Sequence, residues 1–173
     1  SCMFNALGYL IKKDKIKTGS LYREIIANKI RSDDTYSADI LGQPIEDYAK
    51  WILNPDKWGG EIEMSILAQH LHIEIAAIDV ETGHLYIYGE GMKFNSRVYL
   101  LYDGIHYDAI VSSKVSEDIQ HNVKYDITIF YSSDTLVVKQ VGLLASELRK
   151  KKQFVNMAGC DLQCLICLKG LQG

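Results

Sequence analysis

The second residue of the sequence is a cysteine. Cys2 opens a segment, CMFNALGYLIK (2–12), in which Phe4, Leu7, Leu10 and Ile11 recur at helical spacing. A thiol at the start of a helix sits in the positive end of the helix dipole, beside unpaired backbone N–H groups. Both favour the thiolate, and the same N–H groups can hold an oxyanion. A lone cysteine is more often a small buried hydrophobe than a nucleophile, so Cys2 needs a base. In LLYDGIHYDAIVSS (100–113), His106 follows a glycine-containing turn and precedes an apolar strand. A histidine in a strand is more often structural than basic, but strand alternation puts Asp108, two residues on, on the same side. A carboxylate there can accept from the imidazole Nδ1–H and leave Nε2 free to take a thiol proton. Cys2, His106 and Asp108 therefore supply a nucleophile, a base and an orienting acid. Spacing alone leaves open whether Cys2 and His106 meet.

The other cysteines, Cys160, Cys164 and Cys167, crowd the C-terminus. Cys164-x-x-Cys167 is half of a zinc site, with no second pair of ligands after it; the alternative is a tail without metal. Four cysteines in this pattern are not a disulfide framework and suggest a reducing compartment, hence a cytoplasmic location. His70 and His72 end a helix two residues apart and do not converge on a metal. His84 and His121 read as surface loop residues. Trp51 and Trp58 read as core or hinge residues, and Lys150 to Lys152 as a solvated helix end.

These side chains need elements to position them. A second helix covers about 19–31, capped by Thr18 or Ser20, and a third covers 44–53, opened by Pro44 and closed before Asn54-Pro55. After Gly59-Gly60, Glu61 starts a helix with Ile62, Ile66 and Leu67 on its buried face. The period then changes: 74–80, 84–89, 97–102, 106–112 and 125–131 are rich in Ile, Val and Tyr and read as strands. Residues 136–155 form a last amphipathic helix with a basic end, and 156–173 differ in composition from the rest. Helices first and strands after argue for an α/β or α+β fold, a central twisted sheet flanked by helices. The organisation expected is one domain over 1–155 and a separate tail over 156–173.

Composition limits the function. With 47% hydrophobic residues, 24% charged residues and only 2 prolines, the 173-residue chain can bury a sizeable core. A net charge of −3 argues against a basic nucleic-acid binder. No GxGxxG or Walker loop supports nucleotide binding. No apolar run is long enough to span a membrane, and no signal peptide is evident. The start at Ser1 reads as the start of an excised fragment.

SCMFNAL resembles the nucleophile segment of the ovarian tumour (OTU) family of deubiquitinating cysteine proteases. YDGIHYDAI is similar to that family's histidine segment, and WGGEIEMSILAQHL to the helix between them. CLICLKGLQG resembles the first half of the C-terminal Cys2His2 finger of the OTU1-type branch. The matches fall in the family's order and span nearly the whole chain. The resemblance implies a papain-like cysteine protease fold over 1–155. It implies Cys2 as nucleophile, His106 as general base and Asp108 as the acid that orients it. Gly104 and Ile105 would line the channel for ubiquitin's C-terminal tail, and the region around Glu63 to Ile73 would shape substrate contact. The family's aspartate before the cysteine would lie upstream of Ser1. Over 156–173 the resemblance implies half of a zinc finger, with Cys164 and Cys167 as ligands and the two histidines beyond Gly173. Catalysis would need no cofactor. The implied partners are ubiquitin, polyubiquitin chains and, through an N-terminal domain absent here, the valosin-containing AAA ATPase of endoplasmic-reticulum-associated degradation; neither nucleic acid nor membrane is expected. The competing reading is a catalytically silent ubiquitin-binding scaffold.

Overall fold

The computed structural model describes residues 1–14, 17–113, 123–154, 162–163 and 170–171. Helices come first: α1 (Cys2–Lys12), α2 (Lys17–Ser32), α3 (Ala38–Leu41), α4 (Ile45–Leu53) and α5 (Glu61–Leu71). Strands β1 (Glu74–Asp79), β2 (Leu85–Tyr88), β3 (Ser96–Tyr102), β4 (Tyr107–Ile110) and β5 (Phe130–Tyr131) follow, then α6 (Thr135–Lys150). In the tail, β6 (Leu162–Gln163) pairs antiparallel with β7 (Gly170–Leu171). Cys160, Cys164 and Cys167 lie outside the described residues.

The main sheet has the order β2-β1-β3-β4, and β5 pairs with β3 as well. β1 and β3 are parallel, from Glu74 opposite Arg97 to Asp79 opposite Tyr102. The other pairings are antiparallel. A parallel pair is stable only with both faces covered, and the first five residues of β1 are all buried. One face packs on Phe4, Leu7 and Leu10 of α1, Tyr22 and Ile26 of α2, Ile52 of α4 and Met64 and Leu67 of α5. The other face packs on Val141 and Ala145 of α6. Burying each large apolar side chain stabilises the fold by about 1.5–3 kcal/mol before the entropy of ordering is counted.

Several boundaries differ from the periodicity. α2 starts at Lys17, so Thr18 and Ser20 sit inside it instead of capping it. The four-residue α3 is framed by Ser37, whose hydroxyl accepts the Ile40 amide, and by Gly42 in the left-handed region. α6 stops at Lys150, short of 155, and Lys152 turns to a φ of 54°. Only the end of the expected 125–131 strand joins the ladder, together with an isolated Ser112–Ile127 bridge. Just before the bridge, the Asp126 carbonyl accepts from Lys13 Nζ at 2.7 Å.

Two features place the functional rim. β1 and β3 end side by side at Asp79 and Tyr102, and α1 and α5 begin at that same end. The opposite rim carries the 89–95 connection from β2 to β3, with Gly91 at a φ of 79° and open space around it.

Candidate active site

Cys2 is the first residue of α1. Ser1 occupies the N-cap position but makes no side-chain capping hydrogen bond, and the first helical bond is Asn5 N–H to the Ser1 carbonyl at 3.2 Å. The amides of the first turn therefore have neither an intrahelical acceptor nor a side-chain cap. They are donors of the kind an oxyanion requires. The thiol is half-buried, and the Tyr107 backbone N–H points at Sγ from 3.5 Å. That amide is free because β4 is the edge of the sheet and turns its outer side to α1.

His106 immediately precedes β4, and its turn is held by a residue the sequence reading passed over. The Asp103 carboxylate accepts the amides of Ile105 at 3.0 Å and His106 at 2.7 Å, while the Asp103 N–H donates to the His106 carbonyl at 3.2 Å. The Asp-Gly pair at 103–104 was the available signal, since an aspartate bonding two residues ahead marks an Asx turn. Gly104 adopts a φ of 104°, a conformation that side chains strain against. Its carbonyl accepts the Tyr102 hydroxyl at 2.6 Å. The Ile105 side chain is turned inward at 4% exposure, so it offers a passing chain only its backbone.

Alternation along β4 sends Tyr107, Ala109 and Val111 into the helical core and Ile110 to the α6 side. Asp108 shares the Ile110 side, and His106 lies just before the strand. Asp108 is exposed and pairs with Leu101 across the ladder. Among the described residues no hydrogen bond joins its carboxylate to His106.

Trp58 was expected to be a core or hinge residue, yet it is 37% exposed and its ring lies 6.2 Å from the His106 ring. It is held there from behind. A Cβ on the next residue, Gly59, would press into the Met3 methyl and the Phe4 ring. The buried Arg23 guanidinium binds the carbonyls of Ile52 at 2.6 Å, Pro55 at 3.0 Å and Lys57 at 2.5 Å, and stacks 4.3 Å from the centre of the Phe4 ring. Burial lowers the Arg23 pKa, and Glu63 and Asp56 oppose that effect. Glu63 is buried at 2% exposure, accepting the Tyr48 hydroxyl at 2.5 Å and the Gly60 amide at 2.7 Å. It closes the N-terminus of α5 and cannot itself touch a substrate. Among the described residues no group of three potential ligands could hold a metal ion.

A mixed sheet wrapped by helices, with a thiol at a helix start and an imidazole at the mouth of the adjoining edge strand, has the layout of a thiol hydrolase. No protein-family model matches the chain. Individual relatives do. Ubiquitin thioesterase OTU1 of Dictyostelium discoideum is 41% identical over the whole chain and 53% of its own length. Ovarian tumor domain-containing deubiquitinating enzyme 2 of Arabidopsis thaliana is 40% identical over the whole chain and 84% of its own length. A solved OTU domain in complex with ubiquitin superposes with a TM-score of 0.71 at 27% identity, covering 87% of this chain and 82% of that one. The OTUD1 OTU domain, at 17% identity and a TM-score of 0.55, shares the fold. The chain belongs to the ovarian tumour family. It spans about half the length of the Dictyostelium relative.

Proposed function

We propose that this chain is the catalytic domain of a deubiquitinase that hydrolyses isopeptide bonds after ubiquitin's C-terminal glycine. The observation that carries this reading is the thiol of Cys2 at an uncapped helix start, 3.5 Å from the backbone amide of Tyr107, the residue that follows His106 in the chain. The His106 imidazole takes the thiol proton, and the thiolate attacks the glycine carbonyl. First-turn amides of α1 stabilise the oxyanion, and His106 protonates the departing lysine amine. Water, deprotonated by His106, then cleaves the thioester, releasing ubiquitin and restoring the thiol. Asp108 orients the imidazole, and the turn at Gly104 and Ile105 guides the Gly-Gly tail. The ubiquitin thioesterase and deubiquitinating relatives and the ubiquitin-bound neighbour support ubiquitin as the substrate.

The finer assignments rest on the resemblance to the OTU1-type branch. They are work with the valosin-containing AAA ATPase in endoplasmic-reticulum-associated degradation, and a cytoplasmic location. Among the described residues no helix is long and apolar enough to cross a membrane. Catalysis draws on protein groups alone. Cys164 and Cys167 would be two of four ligands to a structural zinc, a role that metal analysis of the purified protein tests.

Ubiquitin bearing a C-terminal electrophile tests the reading. A covalent adduct is expected with the wild type and none with Cys2→Ala. Ubiquitin binding without any adduct would overturn the protease reading in favour of a scaffold.

A further inference from the structure

Beside Cys2, between the start of α5 and the ends of β1 and β3, lies a notch of about 130 Å³. Six of its lining residues carry the argument: Glu61, Asp79, Tyr86, Tyr88, Tyr102 and Tyr107. The Tyr107 backbone amide is the one that points at the thiol, and the Tyr102 ring stacks on the Tyr107 ring. The notch is therefore contiguous with the reacting centre.

Its chemistry is one-sided. Two carboxylates face it, and no Lys, Arg or His among the described residues forms an ion pair with either. The Asp79 carboxylate is fixed by the Glu81 amide at 2.8 Å and the Thr82 amide at 3.3 Å, both on Oδ1. Burial, with Glu61 nearby, pushes the Tyr88 hydroxyl up to about 12, so that wall stays a neutral phenol. The Tyr102 and Tyr107 rings stack at 4.7 Å, and the Tyr102 hydroxyl is committed to the Gly104 carbonyl. Tyrosine rings and carboxylates converging on a small cleft suit a guanidinium or ammonium group, through cation–π contact and charge-assisted hydrogen bonds. At about 30 Å³ per water, the volume holds roughly four waters, or one such head group. A glycine tail has nothing to put there.

We propose that this notch binds a cationic side chain that the substrate carries close to the scissile bond. The proposal rests on the deubiquitinase reading and adds a charge-selecting subsite to it. The cation has two possible sources: the residues of ubiquitin that precede its terminal glycines, or the acceptor protein beyond the cleaved bond.

Steady-state kinetics on two substrates separate these cases. Ubiquitin–aminomethylcoumarin has no acceptor protein, whereas diubiquitin has one. In Glu61→Gln/Asp79→Asn, KM is expected to rise roughly tenfold with kcat within about twofold, as for losing hydrogen bonds to a charged group. The salt dependence of KM should flatten with it. A rise on both substrates assigns the cation to ubiquitin's tail, and a rise on diubiquitin alone assigns it to the acceptor. Where the rise appears on both substrates, Glu61→Lys paired with ubiquitin whose tail arginines are replaced by glutamate should regain part of the lost KM. Where it appears on diubiquitin alone, the charge reversal belongs on the acceptor's basic residues, and a merely structural Glu61 shows no rescue in either pairing. Unchanged KM in a folded double variant, with a fully active wild type, overturns the proposal alone. A wild type inert towards both substrates overturns the deubiquitinase reading and this subsite with it.

Discussion

The Tyr107 backbone amide points at Cys2 Sγ from 3.5 Å, joining residues 105 positions apart in the chain. That contact makes the edge of β4 part of the thiol's environment and brings the residue before it, His106, to the same corner. The base role is then open to a direct test. His106→Ala should lower kcat by about 100- to 10,000-fold and leave ubiquitin affinity, measured by calorimetry on a Cys2→Ala background, unchanged. Loss of binding would make His106 structural.

Asp108 is exposed and not hydrogen-bonded to His106 among the described residues. Asp108→Asn should therefore cost less in kcat than His106→Ala, with KM and melting temperature near wild type. A loss equal to that of His106→Ala would show that the two groups act as one unit in the substrate complex.

The φ of 104° at Gly104 is a conformation that L side chains rarely adopt. Gly104→Ala should destabilise the fold by about 1–3 kcal/mol in urea melts. It should also reduce kcat/KM, because the strain falls on the turn that carries His106.

Arg23 supplies three carbonyl bonds to the loop that ends at Trp58. Arg23→Leu leaves the buried Ile52 carbonyl and the part-buried Pro55 and Lys57 carbonyls without their donor and should cost about 3 kcal/mol. On a Trp51→Phe background the remaining Trp58 emission should shift towards red as the ring loosens. An unchanged spectrum would mean that the loop is held from elsewhere.

Burial makes the hydroxyls of Tyr9, Tyr22, Tyr36, Tyr48, Tyr88, Tyr102 and Tyr107 ionise late, three of them near pH 12. Burial and Asp126 push Tyr9 up to about 12, burial pushes Tyr22 to about 12, and burial with Glu61 pushes Tyr88 to about 12. An unfolded tyrosine ionises near 10. Between these values the folded chain holds protons that the unfolded chain has lost, so stability is fully present below about pH 10 and falls towards pH 12. Tyrosinate absorbance and chemical melts across that window should change together.

The helical half was legible because burial and period coincide: Phe4, Leu7 and Leu10 predict α1, and the same residues pack in the core. The strands β1 and β3 were legible as β-rich runs, but their parallel pairing was not, since no local pattern encodes which strands meet. The 125–131 run has the alternation of a strand, yet only Phe130 and Tyr131 form one, and the Asp126 carbonyl is bonded by Lys13, a long-range contact with no local signature. At the site, Cys2 and His106 could be read as residue types. Trp58 beside His106 could not, because it depends on the Gly59 contact with Met3 and Phe4 and on Arg23 far upstream.

The parallel pairing of β1 with β3 separates the molecule into a working end and an idle one. Both helix starts gather where those strands finish, and the β2-to-β3 connection is left at the other end with open space around Gly91. A reporter spliced between Gly91 and Met92 would sit across the full length of the sheet from the thiol. Such an insertion would allow the protein to be tethered or followed optically while turning over its substrate.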